Sequence, residues 1–232
     1  EDLLVSSLDA AKRTKGVDYV KRTLDLAVGV GARSVVVHLG SIQCDRSRDR
    51  QLRKMFEEGL EGTADFKELR EEMIAHRALF APPHLEALQK SLEELANFNR
   101  KSGVLLGLEN RYRYYDLPLP DELTQLLASI QEDGLGFQFD TGHAFTLERL
   151  GLVEKNAWLN RFAQRVIGVH FHDVRGLTDH QIPGSGEVDF GAIAPYLPEN
   201  CQKTLEVNPH SSLEELARGL EVLTSSGCIN KY

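Results

Sequence analysis

Cysteine is scarce in this chain of 232 residues. Cys44, Cys201 and Cys228 are odd in number, widely spaced and free of any C-x-x-C pattern. That argues against a disulfide framework and points to a reducing compartment, the cytoplasm. Long apolar runs are missing too: none approaches the roughly 20 residues that span a bilayer, so no membrane partner is expected. The opening segment EDLLVSSLDAAKR is acidic and amphipathic rather than a basic, apolar leader. No G-x-G-x-x-G follows a strand-like run. Gly29-Val30-Gly31 leads to Ser34 where a third glycine would fall, and it precedes a strand rather than a helix, which leaves a dinucleotide fold poorly supported. Positive charge is also short. Lysine and arginine number 27 against 35 acidic residues, a formal net charge of −8. That balance disfavours a nucleic-acid partner unless a local basic patch exists.

What is present is an ordinary globular composition, 41% hydrophobic and 27% charged residues, with enough chain for one large domain or two small ones. Helix and strand alternate along it. Residues 17–28 place Val17, Val20, Leu24 and Ala27 at helical spacing, with Gly29 and Gly31 to stop the helix. The β-branched run SVVVHLG (34–40) reads as a buried strand. A second helix is expected from about Pro82 to Lys101. Leu85, Leu88, Leu92, Leu95 and Phe98 share one face of it, Pro82-Pro83 marks its start and Gly103 its end. The runs VLLGLEN (104–110), GLGFQFD (134–140), VIGVHFHD (166–173) and KTLEVN (203–208) read as further strands. Between and after them, helices are expected at 120–133, at about 156–164, from Phe190 with Asp189 as cap, and at 211–226 with Ser211 or Ser212 as cap. Five strands each followed by a helix predict a parallel α/β sheet. The stretch 41–81 is long and heavily charged for a βα connection. It reads either as a solvated helical insertion or as a lid over a pocket.

Aligning the five strands at their ends brings out His38, Glu109, Asp140 with His143, His170 with His172, and Glu206. Side chains alternate faces along a strand, so Val36, Gly107, Gln138, Gly168 and Thr204 share the face of those groups. The opposite face carries Val35, Val37, Leu106, Leu108, Phe137, Phe139, Ile167, Val169 and Leu205. One face is therefore apolar and fit to pack helices. The other is small or polar below and acidic or imidazole at the top. An open doubly wound sheet needs apolar residues on both faces; a (β/α)8 barrel with its site at the C-terminal rim fits the pattern better. Three carboxylates converging there would repel one another and raise their pKa values. A divalent cation removes that conflict. Several oxygen ligands with one imidazole suit Mn2+, Mg2+ or Co2+, and Zn2+ is also admitted.

In this order, VVVHLG, GLEN, FDTGH, VHFHD, HQIPGSGEVDFGAI and LEVN resemble the xylose isomerase-like TIM barrel superfamily. That superfamily includes sugar phosphate isomerases and epimerases and the metal-dependent endonucleases that cut at abasic sites. The resemblance spans residues 34–208. It implies a (β/α)8 barrel, with residues 1–232 forming a single domain, its C-terminal five βα units, and a helical insertion at about 41–81. SVVVHLG would then be the fourth strand, and about three βα units, on the order of 60–80 residues, are expected to lie outside this sequence. The resemblance further implies that Glu109, Asp140, His170 and Glu206 are the principal metal ligands. His143 falls where the family has a substrate contact or a ligand to a further metal. His38 and His180 match additional ligand positions found in the multi-zinc endonuclease branch and in some sugar-active members.

The activity so implied is divalent-metal-dependent isomerisation or epimerisation of a sugar, sugar phosphate or related polyol. A proton leaves the carbon next to a carbonyl and the metal stabilises the enediolate. Glu109 and Glu206 take paired roles, one abstracting the proton and the other returning it. A small sugar is the expected partner, and a homo-oligomer is left open. Other readings stay open: a zinc-dependent, abasic-site endonuclease-like phosphodiesterase, kept alive by His38, His143 and His180; an inosose-type dehydratase; and a non-catalytic barrel. Lesser signals carry two readings each. Arg175, just after the His170 strand, either holds a substrate hydroxyl, carboxylate or phosphate or is a surface arginine. PGSGEVDF (183–190) either cradles a phosphate ahead of a helix or forms a tight turn before the Asp189 cap. NRYRYYD (110–116) lines a sugar pocket, stacks on nucleic acid or faces a partner. His172 shares the inward parity of His170 and is placed to support a ligand.

Overall fold

The computed structural model describes residues 4–130 and 134–230. Helix α1 (Ala10–Gly29) leads to strand β1 (Ser34–Val37), and helices α2 (Ser47–Glu57) and α3 (Ala64–Asn99) lead to β2 (Leu105–Glu109). Next come α4 (Pro120–Ser129), β3 (Leu135–Asp140), α5 (Thr141–Arg149), α6 (Ala157–Phe162) and β4 (Val166–Phe171). A hairpin of β5 (Asp173–Arg175) and β6 (Thr178–Gln181) follows, then α7 (Phe190–Ile193), β7 (Gln202–Leu205) and α8 (Leu213–Ser225). The main sheet runs β1-β2-β3-β4-β7, parallel at every pairing. Strand order follows chain order without a reversal, which is how a barrel winds; a doubly wound sheet changes direction at a switch point. The sheet curls as a half-barrel with helices on its outer face. Among the described residues no helix is long and apolar enough to cross a membrane.

The two-faced character of the strands is realised. On the outer face Leu106, Leu108, Phe137, Phe139 and Val169 are all 2% exposed or less, each contributing about 1.5–3 kcal/mol of burial. Phe137 stacks on Trp158 of α6 with ring centroids 5.5 Å apart, fixing that helix on the sheet. On the inner face Gln138 lies across Gly168, where a Cβ would stand 2.3 Å from its Oε1. Ile167 departs from the expected face. Phe137 pairs with Val166 but Gln138 pairs with Gly168, so β4 carries an extra residue at that point. Such a bulge reverses parity locally and turns Ile167 inward. It rests over Gly136, whose missing Cβ would lie 2.3 Å from Ile167 Cγ2.

The helix expected to begin at Pro82 begins at Ala64, and both prolines lie inside a single 36-residue helix. Its buried stripe runs Phe66, Leu69, Met73, Arg77, Ala81, His84, Leu88, Leu92 and Leu95. Packing along that stripe outweighs the cost of interior prolines. Two of its members are polar, and each is satisfied. His84 Nδ1 lies 2.9 Å from the Ser6 carbonyl, and its Nε2 accepts the Gln43 N–H at 3.2 Å. Arg77 donates to both Glu122 oxygens, at 3.0 and 2.6 Å, and to the carbonyls of Tyr114 and Asp116. This buried clamp anchors the loop that follows β2. Helix α4 stops at Ser129; residues 131–133 of the expected helix lie outside the described residues. Helix α5 and the β5–β6 hairpin have no counterpart in the sequence-based expectation. Asp189 caps α7 and Ser212 caps α8, as expected.

Candidate metal centre

Glu109, Asp140 and His170 stand at or near the ends of β2, β3 and β4, and Glu206 directly follows β7. One donor atom from each of the four lies within 4.8 Å of the others. The sheet does this mechanically: parallel strands in register carry residues from four chain segments to one rim. His170 Nδ1 is the hub, 2.8 Å from Glu109 Oε1, 2.6 Å from Glu206 Oε2 and 3.9 Å from Asp140 Oδ2.

Asp140 divides its two oxygens between different tasks. Its Oδ1 accepts the His143 backbone N–H at 2.8 Å, capping α5, and lies 2.8 Å from His172 Nε2. Its Oδ2 is buried and has no hydrogen-bond partner. A carboxylate oxygen orphaned beside two other carboxylates is costly. The same geometry is what a cation would need. The shared His170 nitrogen tells the same story, since one ring N–H cannot serve two carboxylates 2.8 and 2.6 Å away equally well. Three carboxylates with one imidazole, with Asp140 Oδ2 and Glu206 Oε2 both buried and without a hydrogen-bond partner, thus fit a divalent cation. Glu109, Asp140, His170 and Glu206 would hold it.

Charge states follow from these contacts. Burial pushes the Glu109 carboxyl up, but its contacts with His170 and His38 and the Arg111 charge outweigh burial and hold it well below the usual carboxylate range. Close contacts with His170 and His180 hold the Glu206 carboxyl low against a smaller effect of burial. Burial opposes charge on His170, yet Glu109 and Glu206 push its pKa up to about 10.

Around the four lies a supporting ring. Asn110, fully buried, accepts the Asp140 N–H at 2.8 Å and donates to the Asp140 carbonyl at 2.9 Å. Its own carbonyl lies 3.1 Å from His143 Nδ1. That contact requires a proton on Nδ1, which leaves Nε2 of a neutral His143 as an acceptor. His172 Nδ1 accepts the His180 N–H at 2.9 Å, so its Nε2 carries the proton donated to Asp140. Donors of His143, His172 and His180 also fall within 4.8 Å of one another, but both His172 nitrogens are already engaged. His38 is 62% exposed and outside both groups, with Nε2 3.0 Å from Glu109 Oε2 and 2.9 Å from Arg111 Nη1.

Two sequence signals resolve away from the centre. Arg175 donates to the Ser185 carbonyl from Nε at 3.2 Å and from Nη2 at 2.7 Å. It lines, with His180, an open cavity of about 980 Å3 against α8. The glycine-rich loop is folded around a carboxylate of the chain itself. Asp173 Oδ2 accepts the amides of Gly184 and Gly186, and Oδ1 those of Val174 and Val188, all at 2.8–2.9 Å.

Three more residues stand near the centre: Arg111 and Tyr112 belong to the 110–116 run singled out in the sequence, and Asp179 escaped sequence reasoning. Arg111 donates from Nη1 to Glu109 Oε2; the signal was parity, since it lies two residues past Glu109. Tyr112 donates to the Leu177 carbonyl and lies 5.9 Å from the His143 ring, bridging the loop after β2 to the hairpin. Asp179, on β6, has Oδ1 3.3 Å from His180 Nδ1 and Oδ2 3.9 Å from His143 Nε2. Its signal was a short hairpin turning at Gly176, easily read as plain loop.

Comparison with known proteins agrees with this architecture. The family model described as xylose isomerase-like TIM barrel matches residues 4–225. An uncharacterised protein of Methanocaldococcus jannaschii is 30% identical over 113 residues, 47% of this chain and 38% of that protein. A second from the same organism is 24% identical over 217 residues, 93% of this chain and 70% of that protein. Among solved structures, a D-tagatose 3-epimerase-like protein superposes with a TM-score of 0.64 at 20% identity, covering 97% of this chain and 73% of that one. A D-allulose 3-epimerase from Methylomonas sp. gives 0.65 at 16% identity, with coverage of 97% and 73%. By the extent of the family match and by its fold, the chain belongs to the xylose isomerase-like TIM barrel family.

Proposed function

We propose that this protein is a divalent-metal-dependent isomerase or epimerase of a sugar or related polyol. The observation that carries the reading is the convergence of Glu109, Asp140, His170 and Glu206 within 4.8 Å, with Asp140 Oδ2 buried and unpaired. The epimerase names of structurally similar proteins support it. Mn2+, Mg2+, Co2+ or Zn2+ bound there supplies Lewis acidity to a ketose carbonyl. Glu109 and Glu206 come from non-adjacent strands, β2 and the end of β7, and approach His170 from two sides. Each is held ionised, so one removes the proton beside the carbonyl and the other returns it. His143, with Nε2 as acceptor, orients a substrate hydroxyl.

A zinc-cluster phosphodiesterase draws less support, because His38 lies outside both groups of converging ligand atoms and the chain is acidic overall. The test is solvent-deuterium exchange into a panel of ketoses with Mn2+ added. Wild type should incorporate deuterium at the carbon next to the carbonyl, and Glu206→Gln should abolish incorporation. Exchange equally absent from both across the panel would overturn the reading.

A further inference from the structure

Two devices could have held a sugar's phosphate here, and both are engaged elsewhere. The Arg175 guanidinium is tied to the Ser185 carbonyl through Nε and Nη2. The amides of Gly184, Gly186 and Val188, which would form an anion nest, already enclose Asp173, a carboxylate only 1% exposed. An anion of the chain itself sits where a phosphate would.

At the rim the structure places a further acid. Asp179 lies beside His180 and His143, and His180 Nε2 is 3.6 Å from Glu206 Oε1. The placement is enforced. His180 has φ 54°, a left-handed conformation that a non-glycine residue rarely adopts. Its N–H is held by His172 Nδ1 at 2.9 Å and its carbonyl by the Asn208 N–H at 3.0 Å. Tyr112 pins the hairpin from the other side through the Leu177 carbonyl. The hairpin is thus fixed with its carboxylate toward the centre.

Charge balance then bears on the ligand. Glu109, Asp140, Glu206 and Asp179 contribute four negative charges. Arg111 and a bound dication contribute three positive ones. The carboxylates therefore outnumber those positive charges by one. Arg53 and Arg113, the next cations along, are both committed to Asp49. A phosphate brings close to two more negative charges, whereas sugar hydroxyls are donors that carboxylates accept.

Resting on the sugar isomerase reading, we propose that the site takes neutral, unphosphorylated polyhydroxy ketones. Asp179 is its specificity-determining residue, accepting hydrogen bonds from hydroxyls remote from the carbonyl and repelling anionic sugars.

The test is equilibrium binding to the Mn2+-loaded protein by calorimetry. The probes are D-fructose, D-tagatose and D-ribulose, each beside its terminal phosphate ester, with the deuterium-exchange panel run in parallel. The best neutral ketose should bind at least about tenfold tighter than any phosphate ester. With Mn2+ kept saturating, Asp179→Asn should weaken neutral-ketose binding about tenfold or more and narrow the discrimination, while the Mn2+ stoichiometry and the far-ultraviolet spectrum stay unchanged. Phosphate esters binding as tightly as or tighter than the neutral sugars would overturn the inference and leave the isomerase reading standing. An Asp179→Asn protein with unaltered affinity and discrimination would overturn the role of Asp179. Neither binding nor exchange with any ketose, despite bound Mn2+, would remove the isomerase reading and this inference together.

Discussion

Moving from about pH 8 to about pH 6 should weaken divalent-cation binding roughly a hundredfold, about tenfold per unit. The reason lies in His170. Its Nδ1 faces Glu109 Oε1 at 2.8 Å and Glu206 Oε2 at 2.6 Å, and those contacts push its pKa up to about 10 against the opposing effect of burial. The ring is therefore protonated over the whole range in the metal-free protein. An imidazolium has no lone pair on the nitrogen proposed to ligate, so on that reading each cation has to displace one proton. Below the raised pKa one displaced proton gives a slope of one in log affinity against pH. Glu109 and Glu206 are held well below the ordinary carboxylate range and add no slope there. His180, also raised to about 10 by Asp179 and Glu206, adds a fraction as the cation draws Glu206 away, and His180→Gln removes that fraction. The assay is Mn2+ calorimetry in two buffers of different ionisation enthalpy, which counts protons directly. About one proton per Mn2+ is expected for His180→Gln. Tight binding with no proton release and a flat pH profile would refute the argument that this nitrogen is the ligand. The sign for folding runs the other way. A raised imidazole pKa stabilises the metal-free fold below the ordinary histidine value, and that contribution is lost as pH rises toward about 10.

Two further outcomes concern the scaffold. Arg77→Ala leaves Glu122 buried without its partner and should cost about 3–5 kcal/mol in urea unfolding; Arg77→Lys should recover only part, because a lysine cannot reproduce the paired bonds, and a loss below about 1 kcal/mol would contradict the clamp. Gly136→Ala should destabilise by about 1–3 kcal/mol through contact with Ile167. Adding Ile167→Ala should then cost less than the two single changes summed, whereas strict additivity would place Ile167 elsewhere.

Much of the fold was legible because it rests on local period. The five parallel strands follow from short apolar runs between helical stripes, and the rim residues follow from parity counted back from strand ends. Helix α3 was misread at its start for a specific reason. Arg77 and His84 occupy buried positions of its stripe, and their polarity hides the stripe until the partners are known. One of them, Glu122, lies 45 residues away. Ile167 was misread because a bulge is set by pairing with β3, not by β4 alone.

The sequence by itself determined which side chains could meet: Glu109, Asp140, His170 and Glu206 sit at strand ends, and alternation sends them to one face. Only the tertiary structure decided what those groups and their neighbours are bonded to. It gave the glycine-loop amides to Asp173, turned Arg175 to a carbonyl, and brought Asp179 and Arg111 to the rim. The physical reason is that side-chain direction within a strand depends on adjacent residues. The partner a charged group finds depends on which distant segments the curled sheet carries within about 3 Å of it.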